Sequence, residues 1–184
     1  MDENIVHFSD MTPLPIQLEE LSELERKIMI ERQEADTSSY LIDSRPIVFQ
    51  IQGVKNNSEH HRNTQPIHKD IDVFIYAFGE VKDGAFVDYG WIEDVRSKRI
   101  VWKMDIDRSK YAGGDARNRK TEAHITLPEG HYRLHYKSNE SHANENWTGD
   151  PPERPFYYGI TVFNLSAIEK LNQEVAIAKS KNQN

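Results

Sequence analysis

The chain contains no cysteine. Disulfide bonds, thiolate metal sites and a cysteine nucleophile are therefore excluded. It also lacks any apolar run long enough to span a bilayer. The first ten residues are acidic and do not contain the apolar core of a signal peptide. The compartment stays open: we expect a periplasmic or extracellular protein if a leader was removed, and a cytoplasmic one otherwise.

Negatively charged residues outnumber positively charged ones. The chain has 23 Lys and Arg residues against 30 Asp and Glu residues, which gives a formal net charge of -7. General nucleic-acid binding needs a basic footprint. The one basic cluster, Arg117, Arg119 and Lys120, is flanked by Asp115 and Glu122. We therefore expect no nucleic-acid partner.

The chain does contain many short segments in which apolar and polar residues alternate, and turn residues separate them. The 184 residues are enough for one domain with a core. Strands are predicted at 47–52, 71–80, 86–93, 98–106, 121–127, 131–138 and 156–164. The polar stretches 55–70 and 107–120 are predicted as loops. This pattern predicts a mainly β domain over 45–164, an antiparallel, jelly-roll-like β-sandwich.

Helical periodicity marks both ends of the chain. After an irregular segment, 1–15, leucines and an isoleucine recur at spacings of three and four, which predicts an amphipathic helix over 16–35. Ser166 and Glu169 have the spacing of a capping box, and they predict a second amphipathic helix within the C-terminal segment 166–184. These helices could pack on the domain or pair two copies of the chain as a homodimer.

A polar loop between two predicted strands, Ser138–Pro155, is the first candidate for function. Loops of this kind, held by a rigid scaffold, often carry binding residues. The nearby loop 112–119 could complete a shallow surface with it. Trp147 is either an aromatic platform or an anchor packed into the sandwich. The candidate ligand-binding residues are Asp115, Arg117, Asn118, Ser141, His142, Asn144, Asn146, Trp147 and Tyr157.

Catalytic machinery is not indicated by these residues. Ser141 and His142 are neighbours, so on an extended chain their side chains point to opposite sides, and no nucleophile elbow occurs. Gly113 and Gly114 lack the Lys-Ser/Thr of a phosphate-binding loop and indicate a tight turn. We expect a protein that is not an enzyme, with no catalytic residues.

The spacing of the histidines does not indicate a metal site. His131 and His135 lie four residues apart on a predicted strand, so their Cα atoms are roughly 13 Å apart and cannot share a zinc ion. His60 and His61 are adjacent and have no spaced partner. We expect no cofactor and no metal, with a structural calcium ion as the remaining alternative. Its candidate carboxylates are Asp105, Asp107, Asp115 and Asp150.

Several segments together resemble a β-sandwich module that recurs in poorly characterised bacterial proteins, many of them exported or attached to signalling proteins. The segments are 102–105, 112–119, 127–134, 138–142, 146–147, 151–152 and 158–160. In outline the module is similar to the jelly-roll domains that follow secreted peptidases, and the resemblance covers 71–163. Asn139 stands where the module usually has an acid, which weakens a cation site. The module has no assigned activity.

The sequence therefore favours a non-catalytic binding or interaction module of a bacterial envelope or sensory system. A protein or a carbohydrate partner fits this interpretation. The alternatives are a glycan-active enzyme or carbohydrate-binding domain, and a purely structural domain whose loop only holds the sandwich together.

Overall fold

A computed structural model describes residues 46–55, 60–170, 173 and 177. These residues are mainly β, and all hydrogen-bonded strand pairs run antiparallel, which confirms the predicted class. The strands are β1 (Ile47–Gln52), β2 (His60–Ile67), β3 (Ile71–Lys82), β4 (Ala85–Asp94), β5 (Ile100–Lys103), β6 (Lys110–Tyr111), β7 (Asn118–Leu127), β8 (Gly130–Lys137) and β9 (Gly159–Asn164).

The strands form one connected sheet that curls almost into a barrel. Its hydrogen-bonded order is β1-β9-β3-β4-β8-β2, while β7 and β6 extend from β3 and β5 extends from β4. The first and last strands of this order, β1 and β2, lie next to each other. The side-chain amide of Asn63 in β2 donates a hydrogen bond to the carbonyl of Gln50 in β1 at 3.2 Å. The division into two layers, as in a sandwich, stays a prediction.

β3 is the central strand, and its sequence is apolar on both faces. It pairs with β7 along one edge and with β9 along the other. Because both of its faces are covered, every residue from Val73 to Glu80 is buried. One of those buried residues, Glu80, carries a charged side chain and anchors the network described below.

β2 corrects the prediction that 55–70 is a loop. His60–Ile67 forms eight residues of strand, paired in unbroken register with β8. The sequence HHRNTQPI has little β propensity of its own. Pairing with β8 stabilises it instead, since strand formation depends strongly on neighbouring strands.

Other strand boundaries also move. β5 begins at Ile100, and an irregularity in its pairing with β4 leaves Ile100 57% exposed, although alternation placed it with Trp102 and Met104. The predicted loop 107–120 contains β6 and the start of β7. The last strand starts at Gly159 rather than at Phe156, because Pro155–Tyr157 form a 3₁₀ turn.

A helix starts at Leu165 and is described through Lys170. Its cap is Asn164, whose Oδ1 accepts from the backbone N–H of Ala167 at 3.3 Å and from the hydroxyl of Ser166 at 2.9 Å. The helix therefore begins earlier than the predicted Ser166–Glu169 capping box. The predicted helix 16–35 lies outside the described residues, as does most of 171–184. No helix among the described residues is long and apolar enough to cross a membrane.

Candidate functional site

Arg117, just before β7, organises the polar groups beneath the loop Ser138–Pro155. Its Nη1 donates to Glu80 Oε1 at 2.8 Å, and the Glu80 side chain is completely buried. Its Nε and Nη2 donate to the two carboxylate oxygens of Asp115, both at 3.0 Å. These hydrogen bonds lower the pKa of Asp115 to about 2.

His142 and Asn118 form the second part of this network. His142 Nε2 lies 2.8 Å from Asn118 Oδ1, and the Asn118 amide nitrogen donates to the carbonyls of Gly113 and Asp150 at 2.9 and 3.0 Å. Because Asn118 Oδ1 is an acceptor, Nε2 of His142 carries the proton. Burial, together with the charge of Arg117, lowers the pKa of His142, which favours the neutral ring.

Ser141 bonds to other partners than its neighbour His142. Its hydroxyl lies 3.1 Å from Glu80 Oε2 and 2.9 Å from Asn139 Oδ1. The Asn139 amide nitrogen also donates to Glu80 Oε2, at 3.2 Å. The Ser141 hydroxyl is therefore held by a carboxylate and an amide, and not by the imidazole that would act as its base in a catalytic triad.

Asp88 of β4 is a buried carboxyl that joins this network to the core. One of its oxygens accepts from the backbone N–H of Asn139 and the other from the hydroxyl of Tyr158, both at 2.7 Å. Burial raises the pKa of Asp88 to about 6, although these two hydrogen bonds favour its charged form. Burial also raises the pKa of Tyr158 well above its usual value.

This environment predicts a distinctive pH dependence for Asp88→Asn. Because its folded-state pKa is raised, wild-type Asp88 binds a proton more tightly in the folded state. Its contribution to the free energy of unfolding therefore falls as pH rises from about 4 to about 6. The free energy of unfolding of Asp88→Asn minus that of the wild type should therefore rise by about 2–3 kcal/mol between about pH 4 and about pH 7. Urea unfolding of both proteins at the two pH values measures this gain, and a pH-independent difference would contradict it.

Trp147 is packed as an anchor of the loop. Its ring centroid lies 4.9 Å from that of His142 and 5.0 Å from that of Tyr158, with both pairs edge to face. The side chain is half-buried against the core. This packing favours the anchor interpretation over the exposed platform.

Of the nine predicted residues, Asp115, Arg117, Asn118, Ser141, His142 and Trp147 share one cluster with Glu80. The other three lie outside it. The Asn144 N–H donates to the Val54 carbonyl, and the Asn146 N–H donates to the Ala143 carbonyl, both at 3.0 Å. The Tyr157 ring packs edge-on against Tyr76 at 5.6 Å. A ligand-binding role for the nine residues stays a prediction.

The Gly113–Gly114 turn packs directly on the loop. Both residues have positive φ angles, and a Cβ at Gly114 would lie 2.0 Å from the carbonyl oxygen of Pro151. Only glycine fits such a close approach at this φ angle, which supports the tight-turn interpretation. Among the residues that the structure describes, no group of three or more His, Asp or Glu side chains could hold a metal ion. The calcium alternative stays untested.

A second cluster, on the outer surface of β2, β8 and β4, was not predicted. His60 Nε2 and His135 Nδ1 are hydrogen bonded at 2.8 Å across the β2–β8 pair. The Trp91 ring stacks on His135 at 4.7 Å with an interplanar angle of 4°. On the far side of His135, Glu93 Oε2 lies 3.3 Å from Nε2, within ion-pair range but without the alignment of a hydrogen bond.

Cations and exposed apolar side chains surround these rings. Arg62 and Lys137 flank the histidines, Arg133 lies near Glu93, and the Lys103 ammonium sits 4.8 Å from the centre of the Tyr89 ring. Ile100 and Val101 of β5 are 57% and 42% exposed. We call this surface the histidine–tryptophan face; it comprises His60, Arg62, Tyr89, Trp91, Glu93, Ile100, Val101, Lys103, Arg133, His135 and Lys137.

The sequence did not predict the histidine–tryptophan face, because His60 and His135 lie far apart along the chain and meet only across the β2–β8 pair. The informative signal is the alternation that puts Arg133, His135 and Lys137 of β8 on one side of the strand, where the neighbouring rings leave His135 only 4% exposed. It becomes informative once 60–67 is assigned as a strand, since the register then places Arg62 opposite His135.

Comparison with known proteins adds no relative. No protein-family model matches the chain, and no significantly similar protein is found among curated proteins.

Proposed function

We propose that this protein is a non-catalytic interaction module that binds its partner through the histidine–tryptophan face. The observation that carries the proposal is the composition of this face. Tryptophan, tyrosine and arginine dominate the binding energy of protein interfaces, and here Trp91, Tyr89, Arg62 and Arg133 lie together beside exposed Ile100 and Val101. Such a mixture is typical of a protein-binding surface.

The loop Ser138–Pro155 has a structural role in this proposal. Arg117, Asn118 and His142 direct their polar atoms to one another and to neighbouring backbone groups. A ligand would have to break these hydrogen bonds in order to use them, which costs free energy for each buried group left unpaired. The loop thus serves as an ordered end-cap that ties β3, β4 and β7 together.

We infer that the scaffold is a jelly-roll-like sandwich. The long strands β3 and β4 support this inference, because β3 pairs mainly with β7 and β9, while β4 pairs mainly with β8 and β5. The β3–β4 hairpin would then connect two layers. The resemblance to modules of exported and signalling proteins is the support for a bacterial envelope or sensory setting.

Ligand mapping tests the proposed function. We would select ligands for the wild-type protein from a random peptide library and a glycan array, and then locate them by the changes in backbone amide NMR shifts. The proposal predicts that peptides are enriched and that they shift amides of β2, β4, β5 and β8. Ligands that shift only the amides of 138–155 would overturn it, and turnover of any arrayed glycan would establish the enzyme alternative instead.

A further inference from the structure

The histidine–tryptophan face is cationic on an acidic chain. Among the residues that the structure describes, it carries Arg62, Lys103, Arg133 and Lys137 and one carboxylate, Glu93, whereas the chain as a whole has a net charge of -7. The Glu93 carboxylate lies near Arg133, His135 and Lys98. The remaining positive charge attracts an acidic partner and disfavours a metal ion at the two histidines.

The exposed apolar side chains indicate a polypeptide rather than a nucleic acid. In the β4–β5 pairing Ile100 lies opposite Glu93 and Lys103 lies opposite Trp91, so the exposed Ile100 and Val101 belong to the strand next to these groups. Apolar side chains of a partner could bury them. Successive bases need separate open ring faces, but here Trp91 stacks directly on His135, and His60 lies within 5.0 Å of both ring centroids. No base fits between these rings.

The hydrogen-bond donors of this face form a directed chain at neutral pH. Arg62 Nη2 lies 3.3 Å from His60 Nδ1, and because arginine only donates, that nitrogen is an acceptor. The proton of His60 is then on Nε2 and is donated to His135 Nδ1. The proton of His135 is consequently on Nε2, which faces Glu93. Each imidazole is therefore neutral.

The surroundings of the two histidines hold them neutral until an anion arrives. Burial lowers the pKa of both, and the charge of Arg62 lowers it further. Lys137 adds to this effect at His60, and His60 and Arg133 add to it at His135. His61 adds to this effect at His60. Glu93 acts in the opposite direction and favours protonation of His135, and the Trp91 ring would also favour a cation stacked on it.

We propose that the histidine–tryptophan face receives an acidic segment of a partner protein, and that binding draws protons onto the His60–His135 pair. This inference rests on the proposed function and names the partner's chemistry. The carboxylates of an acidic segment offset the repulsion from the surrounding Lys and Arg side chains. A neutral imidazole of the pair, which already carries one proton, can then accept a second proton more easily. By linkage, lower pH must then strengthen binding.

A labelled peptide that alternates glutamate with valine tests this inference by fluorescence anisotropy. The affinity of the wild-type protein should rise several-fold from about pH 7.5 to about pH 5.5, where glutamate remains mostly charged. Arg62→Glu should weaken binding about tenfold or more, because it reverses an exposed charge at the site. Lys82→Glu is the matched control: it makes the same charge change at the exposed β3–β4 turn and should leave the affinity nearly unchanged.

Two further comparisons isolate the histidines and the acidic groups. His60→Gln should remove most of the pH-dependent rise, and a peptide with glutamine in place of glutamate should bind weakly at both pH values. The inference is overturned if the glutamate peptide does not bind, if both peptides bind equally, or if wild-type affinity does not rise at low pH. If mapped library ligands occupy the face but carry no acidic residues, the proposed function survives and this inference fails.

Discussion

Replacing Arg117 with alanine should lower the free energy of unfolding by about 3–5 kcal/mol, the range seen when one partner of a buried ion pair is removed. Glu80 is completely buried, and Arg117 is the cation that lies 2.8 Å from its carboxylate. The substitution also removes the donors to Asp115 and Thr148. Urea denaturation at neutral pH measures the loss.

A double substitution separates the cost of the buried charge from the cost of lost packing. Arg117→Met with Glu80→Gln removes both charges but keeps the bulk of both side chains, and the amide oxygen introduced by Glu80→Gln can still accept from Asn139 and Ser141. We expect the double variant to be clearly more stable than Arg117→Ala. If Arg117→Ala costs less than about 1 kcal/mol, as for an exposed ion pair, the network does not hold the loop in place.

Trp147→Ala should cost about 3 kcal/mol of unfolding free energy, the lower end of the range for truncated aromatic side chains, because the indole is half-buried against the core. The indole packs edge to face against His142 and Tyr158, so its loss opens a cavity between the loop and the core. Thermal and urea unfolding measure this loss, and Trp147→Phe, which keeps a ring in place, should recover part of it. An unchanged melting temperature would contradict the anchor role.

The sequence predicted best those strands that carry their own pattern. β3 is apolar on both faces, and in β8 the residues Tyr132, Leu134 and Tyr136 alternate inward and are buried. β2 could not be recognised in this way, because its residues are mostly polar and its stability comes from pairing with β8. The C-terminal helix begins before the predicted Ser166–Glu169 capping box, because Asn164, the last residue of β9, also caps the helix.

The candidate site was predicted only in part, because the hydrogen-bond partners of its residues depend on the fold. The sequence placed Arg117 and Asn118 among the candidate binding residues, and in the structure both make hydrogen bonds to the loop Ser138–Pro155. Glu80 and Asp88, the carboxyls that join the loop to the sheet, were not singled out. A signal for them exists: each is an acidic residue within a strand whose neighbours are apolar, and a buried acid needs partners. The identity of those partners depends on the fold.

These contacts separate two parts of the domain: a polar network that holds the loop Ser138–Pro155, and a surface that we propose for binding. The polar network at one end of the domain uses Arg117, Glu80 and His142 to hold the loop. The Trp147 ring packs on His142 and anchors the loop. The histidine–tryptophan face lies on a different part of the sheet, where Trp91 and His135 are set on paired strands. Because rigid strands place side chains more precisely than loops do, we propose this face rather than the loop as the surface for recognition.

The most direct test of this division compares Trp147→Ala and Arg62→Glu in two measurements, the melting temperature and the affinity for a peptide selected on the wild-type protein. Trp147→Ala should lower the melting temperature by several degrees, as about 3 kcal/mol implies for a domain of this size, and leave the affinity nearly unchanged below that temperature. Arg62→Glu should do the reverse. A Trp147→Ala protein that melts normally but no longer binds the peptide would contradict the account and return the binding site to the loop.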